Sequence, residues 1–551
     1  MVLKAADRRH GWILLALFGW RILNALLTRT FFQADEFWQA LEPAHFKTFG
    51  YGGLTWEWNN GLRSYGFPFL FEIAYRLAQL VSEGCQYQWE KDKADKVEYY
   101  CVLIFPKLVM AFIAAIGELY TILFVKKLYL LTFDKRDDKK PHNDWDVEKF
   151  TIVLSMTNFF NCFLITRTFV NCFEMCLTSA ALYYWDWSGG DEVFTTNFTK
   201  SLCIAAFACL QRPTNGLIWI VPGSRLIWNL LIKSQYGKVL RLIGKVIFCF
   251  ALVCTINVAI DYYFYNEMTF PPLNFLRFNV LSSLSTFYGV NQWHFHFTQS
   301  LPLMLNYAIP LFCLGLTYAP HSDVFTQTRI VVVFNLIAYS LLSHKEFRFV
   351  YPLQPLLILI STFGALKLQE THILKHRFLL LAPLGSVIIA FFLCWYHESG
   401  TIAVMKYLHD RPVVDSIGFI MPCHSTPWQS HLHRNDINSL WAITCDPPLH
   451  LMDDPDASTK LPYYMDESDL LYDGILGFME RNFPLLNVEP SQQHTHQHEW
   501  PQLLIFFQHL ENVYVKEYLK DNAYVEETRF FNSLVHWDSR RSGDVIVYRK
   551  L

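Results

Sequence analysis

The chain is 551 residues long, and 52% of its residues are hydrophobic, 17% aromatic and only 17% charged. Soluble domains typically carry about 25% charged residues, so this composition favours a membrane protein. The formal net charge of −3 argues against a nucleic-acid partner, because such binding depends on clustered Lys and Arg. Apolar runs recur from Gly11 to Tyr396 and none after it is long enough to cross a bilayer. We therefore predict a membrane module over residues 1–396 and a soluble domain over 397–551.

The first apolar run, Gly11–Leu27, follows the basic residues Lys4, Arg8 and Arg9. It resembles a secretory signal, but it lacks a small-residue cleavage site and many further apolar runs follow it. We interpret it as an uncleaved signal anchor whose N-terminus stays in the cytosol.

The apolar runs predict about eleven transmembrane helices, and thus a polytopic α-helical membrane protein. Their approximate centres are Phe18, Ile113, Phe159, Leu177, Ala206, Ile220, Leu252, Pro310, Val333, Ile358 and Ala390. Ala206 and Ile220 are too close for two full-length helices, so a short pair broken near Pro213 is predicted there.

The positive-inside rule orients these helices. The basic loops Lys126–Lys149, Lys233–Lys245 and Lys367–Arg377 all fall in the cytosol, provided that the apolar run Phe67–Val81 does not cross. We therefore predict that Phe67–Val81 is a helix lying on or dipping into the lumenal interface.

This orientation gives the lumenal side the segments richest in unusual polar residues. They are the loop 29–100, the loop Asp261–Ser300, the turn His344–Arg348 and the C-terminal domain 397–551. Ionisable residues beside hydrocarbon are costly and often functional. A catalytic site is therefore expected on this side.

Asp35 and Glu36 come directly after the first predicted helix. A carboxylate there can act as the general base that removes a proton from an attacking hydroxyl group. The neighbouring indole rings of Trp38, Trp56 and Trp58 can stack on sugars. The structural alternative is that the two carboxylates anchor the loop at the interface or cap the next helix.

A second polar cluster, with His344, Lys345 and Arg348, occupies a short turn between two predicted membrane helices. Two fixed cations and a histidine suit the phosphate of a lipid carrier, which is the leaving group in glycosyl transfer. Arg212 before Pro213, at another predicted lumenal helix end, is a further candidate for that role. Snorkelling of long side chains at helix ends is the alternative.

The third cluster lies in the segment Phe287–Pro302, which contains Trp293 and His294. These side chains belong either to an aromatic belt at the membrane interface or to a site that holds an acceptor glycan.

Together these segments resemble the dolichyl-phosphate-mannose-dependent mannosyltransferases with the GT-C membrane fold. That family carries a DE pair in its first lumenal loop and an HKExRF motif between late helices, which Asp35–Glu36 and His344–Phe349 match. Arg212–Thr214 and Phe287–Gly289 match as well. Many relatives have Glu where this chain has Phe347, so no catalytic role is carried over to that position.

The segments Met421–Ser430, Asp466–Asp469 and His498–Pro501 narrow the resemblance to the glycosylphosphatidylinositol (GPI) mannosyltransferases that add a third mannose. The resemblance implies an inverting displacement at the lumenal face of the endoplasmic reticulum, with Asp35 as base and Glu36 as its orienting partner. The donor would be dolichyl phosphate mannose, and the acceptor would be a GPI precursor with two mannoses, to which the third is added in α1,2 linkage. The protein would be embedded among the lipids of the endoplasmic reticulum membrane. No metal or other cofactor is expected, because the donor has no diphosphate to neutralise.

Two alternatives from other classes stay open. The first is a mannosyltransferase that acts on the lipid-linked N-glycan, against which the segment Met421–Ser430 argues. The second is a lipid or solute transporter. A transporter should show inverted repeats and interrupted helices near the midplane of the bilayer, whereas the polar clusters here lie at one interface.

The C-terminal domain contains two cysteines, Cys423 and Cys445, and an oxidising lumen favours a disulfide between them. Apolar runs in this domain predict a small α/β fold. The predicted strands are Ile417–Met421, Leu503–Phe507 and Val545–Tyr548, and the predicted helix is Asn512–Leu519.

Overall fold

The computed structural model describes residues 2–87, 90–134, 143–282, 284–320, 322–370, 378–452, 454–483, 498–511 and 513–551. Helices fill most of the chain up to Asp410, and a five-stranded sheet with short helices follows. Parts of two predicted basic loops, 135–142 and 371–377, and the first residue of the predicted helix Asn512–Leu519 lie outside the described residues.

The helices up to the sheet are numbered in chain order. They are α1 (Val2–Leu27), α2 (Glu42–Phe49), α3 (Trp56–Asn59), α4 (Pro68–Gln86), α5 (Lys91–Asp134), α6 (Asp144–Thr157), α7 (Phe159–Leu164), α8 (Val170–Tyr184), α9 (Thr196–Gln211), α10 (Gly216–Ile232), α11 (Tyr236–Tyr265), α12 (Pro271–Leu276), α13 (Leu301–Leu305), α14 (Ile309–Tyr318), α15 (Asp323–Leu341), α16 (Gln354–Glu370), α17 (Phe378–Trp395) and α18 (Gly400–Asp410). Three π-helical turns occupy Phe37–Leu41, Arg277–Leu281 and His296–Ser300.

Seven helical segments in the described part of the chain are long and apolar enough to cross a membrane. They are Arg8–Leu27, Lys91–Phe133, Tyr236–Tyr265, His296–Tyr318, Asp323–Leu341, Phe347–Glu370 and Leu381–Asp410. Each contains one predicted centre, and the other four centres lie in α7 to α10, which have six to 17 residues. Pro213 separates α9 from α10, as predicted. The many-helix membrane architecture agrees with the sequence, and the number eleven stays a prediction.

The predicted interfacial segment Phe67–Val81 forms helix α4, which is not among the seven candidate spans. Phe71, Tyr75 and Ala78 are fully buried on one face, against α5 and the first loop. Apolar side chains on the opposite face are exposed. Helix α4 is therefore apolar on both faces, but only one of them is covered by protein. Its position at a membrane interface stays a prediction.

The C-terminal domain is built on a mixed sheet in the order β2-β1-β3-β5-β4. Its strands are β1 (Ser416–Phe419), β2 (Ser439–Ala442), β3 (Leu503–Phe507), β4 (Tyr524–Ser533) and β5 (Gly543–Lys550). Its helices are α19 (Gln429–Leu432), α20 (Ala457–Lys460), α21 (Glu467–Asp473), α22 (Ile475–Asn482) and α23 (Val513–Asp521). The three predicted strands correspond to β1, β3 and β5, and the predicted helix to α23. The sequence missed β2 and β4 because β2 is short and half-buried and two register shifts interrupt β4.

The C-terminal domain is attached to the first loop of the membrane module through Glu42, which is 2% exposed. Its carboxylate accepts hydrogen bonds from the backbone N–H of Trp428 at 2.8 Å and from the Ser430 hydroxyl at 2.5 Å. Burial raises the pKa of Glu42 to about 7, although these donors oppose the shift. This contact holds the segment 422–434 against the helix that begins near Asp35.

Candidate active site

Asp35 lies in the helical turn that leads into the π-helical turn Phe37–Leu41. The N-terminus of a helix stabilises negative charge, and π-helical turns often lie at functional sites. The Asp35 side chain is 26% exposed, and its Oδ2 atom accepts a hydrogen bond of 2.5 Å from Nη2 of Arg348. The structure therefore brings together two residues 313 positions apart, one from each predicted polar cluster.

Glu36 faces another direction, because successive residues of a helix project about 100° apart. Its Oε2 atom accepts a hydrogen bond of 2.9 Å from Nη1 of Arg167. The Arg167 guanidinium also donates to the carbonyl and hydroxyl oxygens of Thr30, both at 2.7 Å. Glu36 is 6% exposed, and burial raises its pKa although Arg167 opposes the shift. Of the two adjacent carboxylates, only that of Asp35 is accessible.

Glu346 connects His344 to Arg348. Its carboxylate accepts a hydrogen bond of 2.7 Å from Nε of Arg348 and lies 3.1 Å from Nε2 of His344. Nδ1 of His344 lies 2.9 Å from the carbonyl oxygen of Gly289, so both ring nitrogens face acceptors. Burial opposes charge on the imidazole, but Glu346 outweighs it and raises the pKa of His344. Burial opposes charge on the carboxylate too, but Arg348 and His344 outweigh it and lower the pKa of Glu346.

Lys345 contacts a different segment. Its Nζ atom donates to the carbonyl oxygen of Asn291 at 2.8 Å, and the Asn291 amide donates to the Lys345 carbonyl oxygen at 2.9 Å. The sequence predicted Lys345 beside Arg348 at a phosphate. The contact with Asn291 braces the loop before α13 against the turn, and the role of Lys345 at a phosphate stays a prediction.

Arg212 follows α9 directly, and it is 6% exposed. Its Nε atom lies 3.4 Å from Oε2 of Glu174, and its guanidinium lies 5.4 Å from the centre of the Phe349 ring. Asn171 connects it to Arg348: its Oδ1 atom accepts from Arg212 at 3.5 Å, and its amide donates to the Arg348 carbonyl oxygen at 3.3 Å. The structure thus brings Arg212 close to Arg348.

A third guanidinium, that of Arg63, reaches the same cluster. Its Nη2 atom donates to Oε1 of Glu57 at 2.5 Å, and it lies within electrostatic reach of Asp35 and Arg348. Arg63 and Arg348 both repel the charge on Arg212. Arg63 belongs to no motif recognised in the sequence, and the signal that could have identified it is a basic residue in the same predicted loop as Asp35.

Nη1 of Arg348 is a buried donor of this cluster that has no hydrogen-bond partner among the described residues. Nε of Arg212 makes no hydrogen bond either, but it lies 3.4 Å from the Glu174 carboxylate. Buried polar groups are nearly always paired, so each exception needs an explanation. An anion satisfies such donors through charge-assisted hydrogen bonds. The cluster can therefore bind a phosphate next to the accessible carboxylate of Asp35.

Two of the predicted sugar-stacking rings are covered by protein. Trp58 is 2% exposed, donates from Nε1 to the Trp38 carbonyl oxygen at 3.0 Å and packs on Phe264. Trp38 donates from Nε1 to the Thr426 carbonyl oxygen at 3.0 Å, and its ring packs 4.6 Å from that of His424. Their predicted role as stacking surfaces is therefore corrected to packing.

Trp56 is also buried, and its indole packs against the exposed ring of Tyr288. Its indole lies nearly parallel to the Tyr288 ring, at an angle of 13° and a centroid distance of 6.5 Å. Tyr288 is 44% exposed, and its ring lies 6.4 Å from that of His344. An exposed aromatic ring beside polar groups suits a sugar, whereas the buried Trp56 does not offer the predicted stacking surface.

Trp293 and His294 lie on the loop that Lys345 braces. Trp293 is 68% exposed, and Nδ1 of His294 lies 3.1 Å from the Thr298 hydroxyl. An exposed indole agrees with the aromatic-belt alternative. A role in binding an acceptor stays a prediction.

A disulfide joins Cys423 to Cys445, the predicted pair, with Cα atoms 5.7 Å apart. Ligand atoms of these two residues and of His424 lie within 4.8 Å of one another. Zinc sites require thiolates, and the two sulfur atoms are bonded to each other instead. This cluster therefore does not fit a metal while the disulfide is intact.

The sequence model of the Alg9-like mannosyltransferase family matches residues 12–433 of the chain. The chain belongs to this family. The match includes Asp35, Arg212 and the turn at Arg348, and it extends into the C-terminal domain as far as the segment that contacts Glu42. The chain is therefore a mannosyltransferase.

Two curated relatives are similar over nearly the whole chain. GPI mannosyltransferase 3 of Saccharomyces cerevisiae is 51% identical over 98% of this chain and 95% of its own length. GPI mannosyltransferase 3 of Candida glabrata is 49% identical over 97% of this chain and 95% of its own length.

Among solved structures, ArnT from Cupriavidus metallidurans bound to undecaprenyl phosphate has a TM-score of 0.55 at 10% identity, covering 100% of this chain and 98% of that one. That similarity concerns the fold alone, and it agrees with the predicted GT-C architecture.

Proposed function

We propose that this mannosyltransferase adds the third mannose to the GPI precursor, in α1,2 linkage, from dolichyl phosphate mannose at the lumenal face of the endoplasmic reticulum. Two relatives that align over nearly the whole chain are GPI mannosyltransferases 3, which supports the proposed acceptor. One observation supports a phosphate-bearing donor. The Arg348 guanidinium donates to Asp35 through Nη2, while its buried Nη1 atom lacks a partner among the described residues.

The proposed reaction is a single displacement. The acceptor hydroxyl oxygen attacks the anomeric carbon of the mannose, and the bond from that carbon to the phosphate oxygen breaks with its electron pair going to the phosphate. Asp35 takes the hydroxyl proton as general base. Attack opposite the phosphate inverts the β-linked donor into an α-linked product, and dolichyl phosphate leaves.

We assign the leaving phosphate to Arg348 and Arg212, with Arg63 and His344 beside them. Fixed cations stabilise the negative charge that develops on the phosphate, which leaves without being protonated. Three arginines that repel one another in the free protein become mutually compatible once an anion is bound. We expect no metal, because a monophosphate leaves no second phosphate to neutralise.

Depletion of the protein from GPI-producing cells tests the acceptor. We expect the GPI precursor with two mannoses to accumulate. Purified protein supplied with labelled dolichyl phosphate mannose should convert that precursor into a three-mannose product that an α1,2-mannosidase reverses. Accumulation of a lipid-linked N-glycan intermediate with complete GPI would instead favour the N-glycan alternative.

The proposed orientation makes a prediction about Asn197 in the sequon Asn197–Thr199. Asn197 lies in the first turn of α9, about 22 Å from Arg212 at its other end by helix rise. Near Asn197, Lys245 donates to the Val193 carbonyl oxygen, and basic residues favour the cytosolic side. We expect no glycan at Asn197, so a glycosidase should not shift the mobility of the wild type relative to Asn197→Gln. A shift that this substitution abolishes would contradict the orientation.

A further inference from the structure

The segment Met421–Ser430 narrowed the family resemblance, and the proposed mechanism gives it no role. It lies against the helix that carries Asp35. Trp38 lies three residues after Asp35, and residues at that spacing share a helix face. Because Trp38 donates to the Thr426 carbonyl oxygen, the C-terminal domain is bound beside the Asp35 carboxylate.

His424 packs on Trp38, as Trp428 of this segment does, and its ring nitrogens can bond to a hydroxyl group. Asp35 acts on His424 electrostatically. Its φ of +52° lies in the left-handed region, which residues other than glycine rarely adopt unless their surroundings hold them. The neighbouring disulfide, through Cys423, and the hydrogen bond to Thr426 hold the backbone on either side of His424.

The imidazole of His424 is neutral and has one nitrogen available. Burial, together with the charge of Arg541, lowers the pKa of His424 to about 4. Its Nδ1 atom lies 3.7 Å from Sγ of Cys445, while no described residue hydrogen-bonds its Nε2 atom. A neutral ring nitrogen can donate to or accept from a hydroxyl group, so it suits a sugar without introducing charge beside the base.

We propose that His424 forms the acceptor subsite, in which Nε2 hydrogen-bonds a hydroxyl of the terminal mannose and orients the attacking hydroxyl towards Asp35. This inference rests on the proposed function and deepens it, because acceptor recognition then belongs to the C-terminal domain. The membrane module supplies the donor side through Arg348 and Arg212. Trp38 acts as a positioning residue, since its ring holds the imidazole in place.

Initial rates of the purified full-length chain test the proposal. The substrates are dolichyl phosphate mannose and the GPI precursor with two mannoses. In His424→Ala, we expect the KM for the acceptor to rise about five- to tenfold, the effect of one neutral hydrogen bond, while the KM for the donor stays unchanged. His424→Gln should recover much of the acceptor affinity, because its amide can still bond to a hydroxyl.

His409→Ala is the matched control. His409 also stacks on an aromatic ring where the two parts of the chain meet, 3.4 Å from the Tyr99 ring, and faces the Leu432 carbonyl oxygen. The substitution removes the same side chain, and neither KM should change. Thermal unfolding of each variant checks its folding, and His424→Phe, which keeps a ring but has no ring nitrogen, is the variant compared if His424→Ala does not fold.

Three results would overturn the proposal: a wild-type acceptor KM in folded His424→Ala or His424→Phe, an equal rise in both KM values, or the same effect in His409→Ala. These results leave the proposed function intact. If the wild-type chain itself transfers no mannose to this precursor, the proposed function fails instead.

Discussion

Arg21 and Arg348 are both buried arginines paired with carboxylates, but the Arg21 network is closed. Arg21 is fully buried, and it binds Glu118 through Nη2 and through Nε, the latter at 2.7 Å from Oε2. Its Nη1 atom donates to Asn24 at 2.9 Å, and Glu118 also accepts from the Ser155 hydroxyl at 2.5 Å. Within the described part of the chain, no buried polar side-chain atom of Arg21 or Glu118 lacks a partner.

The Arg348 network is open. Arg348 binds Glu346 through Nε and Nη2 and Asp35 through Nη2, whereas Nη1 has no described partner. The Asp35 side chain is 26% exposed and that of Glu118 only 1%. A saturated polar network rigidifies the fold, and an unsaturated one beside an accessible carboxylate is ready for a ligand. Substitutions in the Arg21 network should therefore lower the stability of the fold, and substitutions in the Arg348 network should lower the transfer rate.

The largest expected effect is that of Asp35→Asn on the rate of mannose transfer. Asparagine keeps the size of the side chain and can still accept from Arg348, but it cannot take the proton. We expect a loss of about 10²–10⁴ in rate, the typical contribution of a general base. Because Asp35 is partly exposed, the thermal unfolding midpoint should stay near that of the wild type.

Initial rates and thermal unfolding of purified protein measure both quantities. Near-normal transfer by Asp35→Asn would remove Asp35 from the mechanism and make Glu36 the leading candidate for the base.

Glu118→Gln should affect stability instead. It leaves the charge of Arg21 without a counter-charge inside the helix bundle, which typically costs about 3–5 kcal/mol. The thermal unfolding midpoint should fall, while the transfer rate per folded molecule should not change. The double variant Arg21→Met with Glu118→Leu should recover part of the loss, because it buries no unpaired charge. A wild-type midpoint in the single variant would show that this pair does not stabilise the fold.

Arg348→Lys should weaken transfer by about 10- to 100-fold, the range for a lost hydrogen bond to a charged group. A lysine ammonium cannot reproduce the planar fork that bonds Glu346 and Asp35 and keeps one donor free for a phosphate. Donor binding should suffer and the KM for the acceptor should not. Unchanged donor affinity and turnover would leave the snorkelling alternative as the explanation of this arginine.

The charged residues of the candidate site could be predicted from the sequence, but their side-chain contacts could not. Asp35, Arg212 and Arg348 were found because each lies beside a predicted helix end, where charge is conspicuous. Glu346 received no role, and the contact between Lys345 and Asn291 was not predicted, because side-chain directions in a tight turn depend on its backbone geometry and not on spacing.

The aromatic part of the site shows a further limit. An indole near a carboxylate has the same sequence signature whether it stacks on a sugar or on protein. Trp38 packs on protein because a segment distant in sequence covers it. The carbonyl oxygen of Thr426, 388 positions away, accepts its hydrogen bond, and the His424 ring packs on its indole. Buried apolar strands such as β3 were easier, since a continuous apolar run identifies them locally.

Within the candidate site, the smallest expected loss of transfer rate is that of Glu36→Gln, which tests whether adjacent carboxylates differ because of their partners. The Glu36 carboxylate is held by Arg167, which also donates to Thr30 and to the Phe163 carbonyl oxygen. Glutamine can still accept from Arg167, and the remaining oxygens keep the guanidinium hydrogen-bonded. The substitution leaves the buried Arg167 without a counter-charge, as Glu118→Gln does for Arg21, so we expect a similar loss of stability of about 3–5 kcal/mol. The transfer rate per folded molecule should fall by less than about tenfold. Parallel measurement with Asp35→Asn makes the comparison direct. Equal losses of rate in the two variants would mean that Glu36 shares the base role and that its contact with Arg167 opens during catalysis.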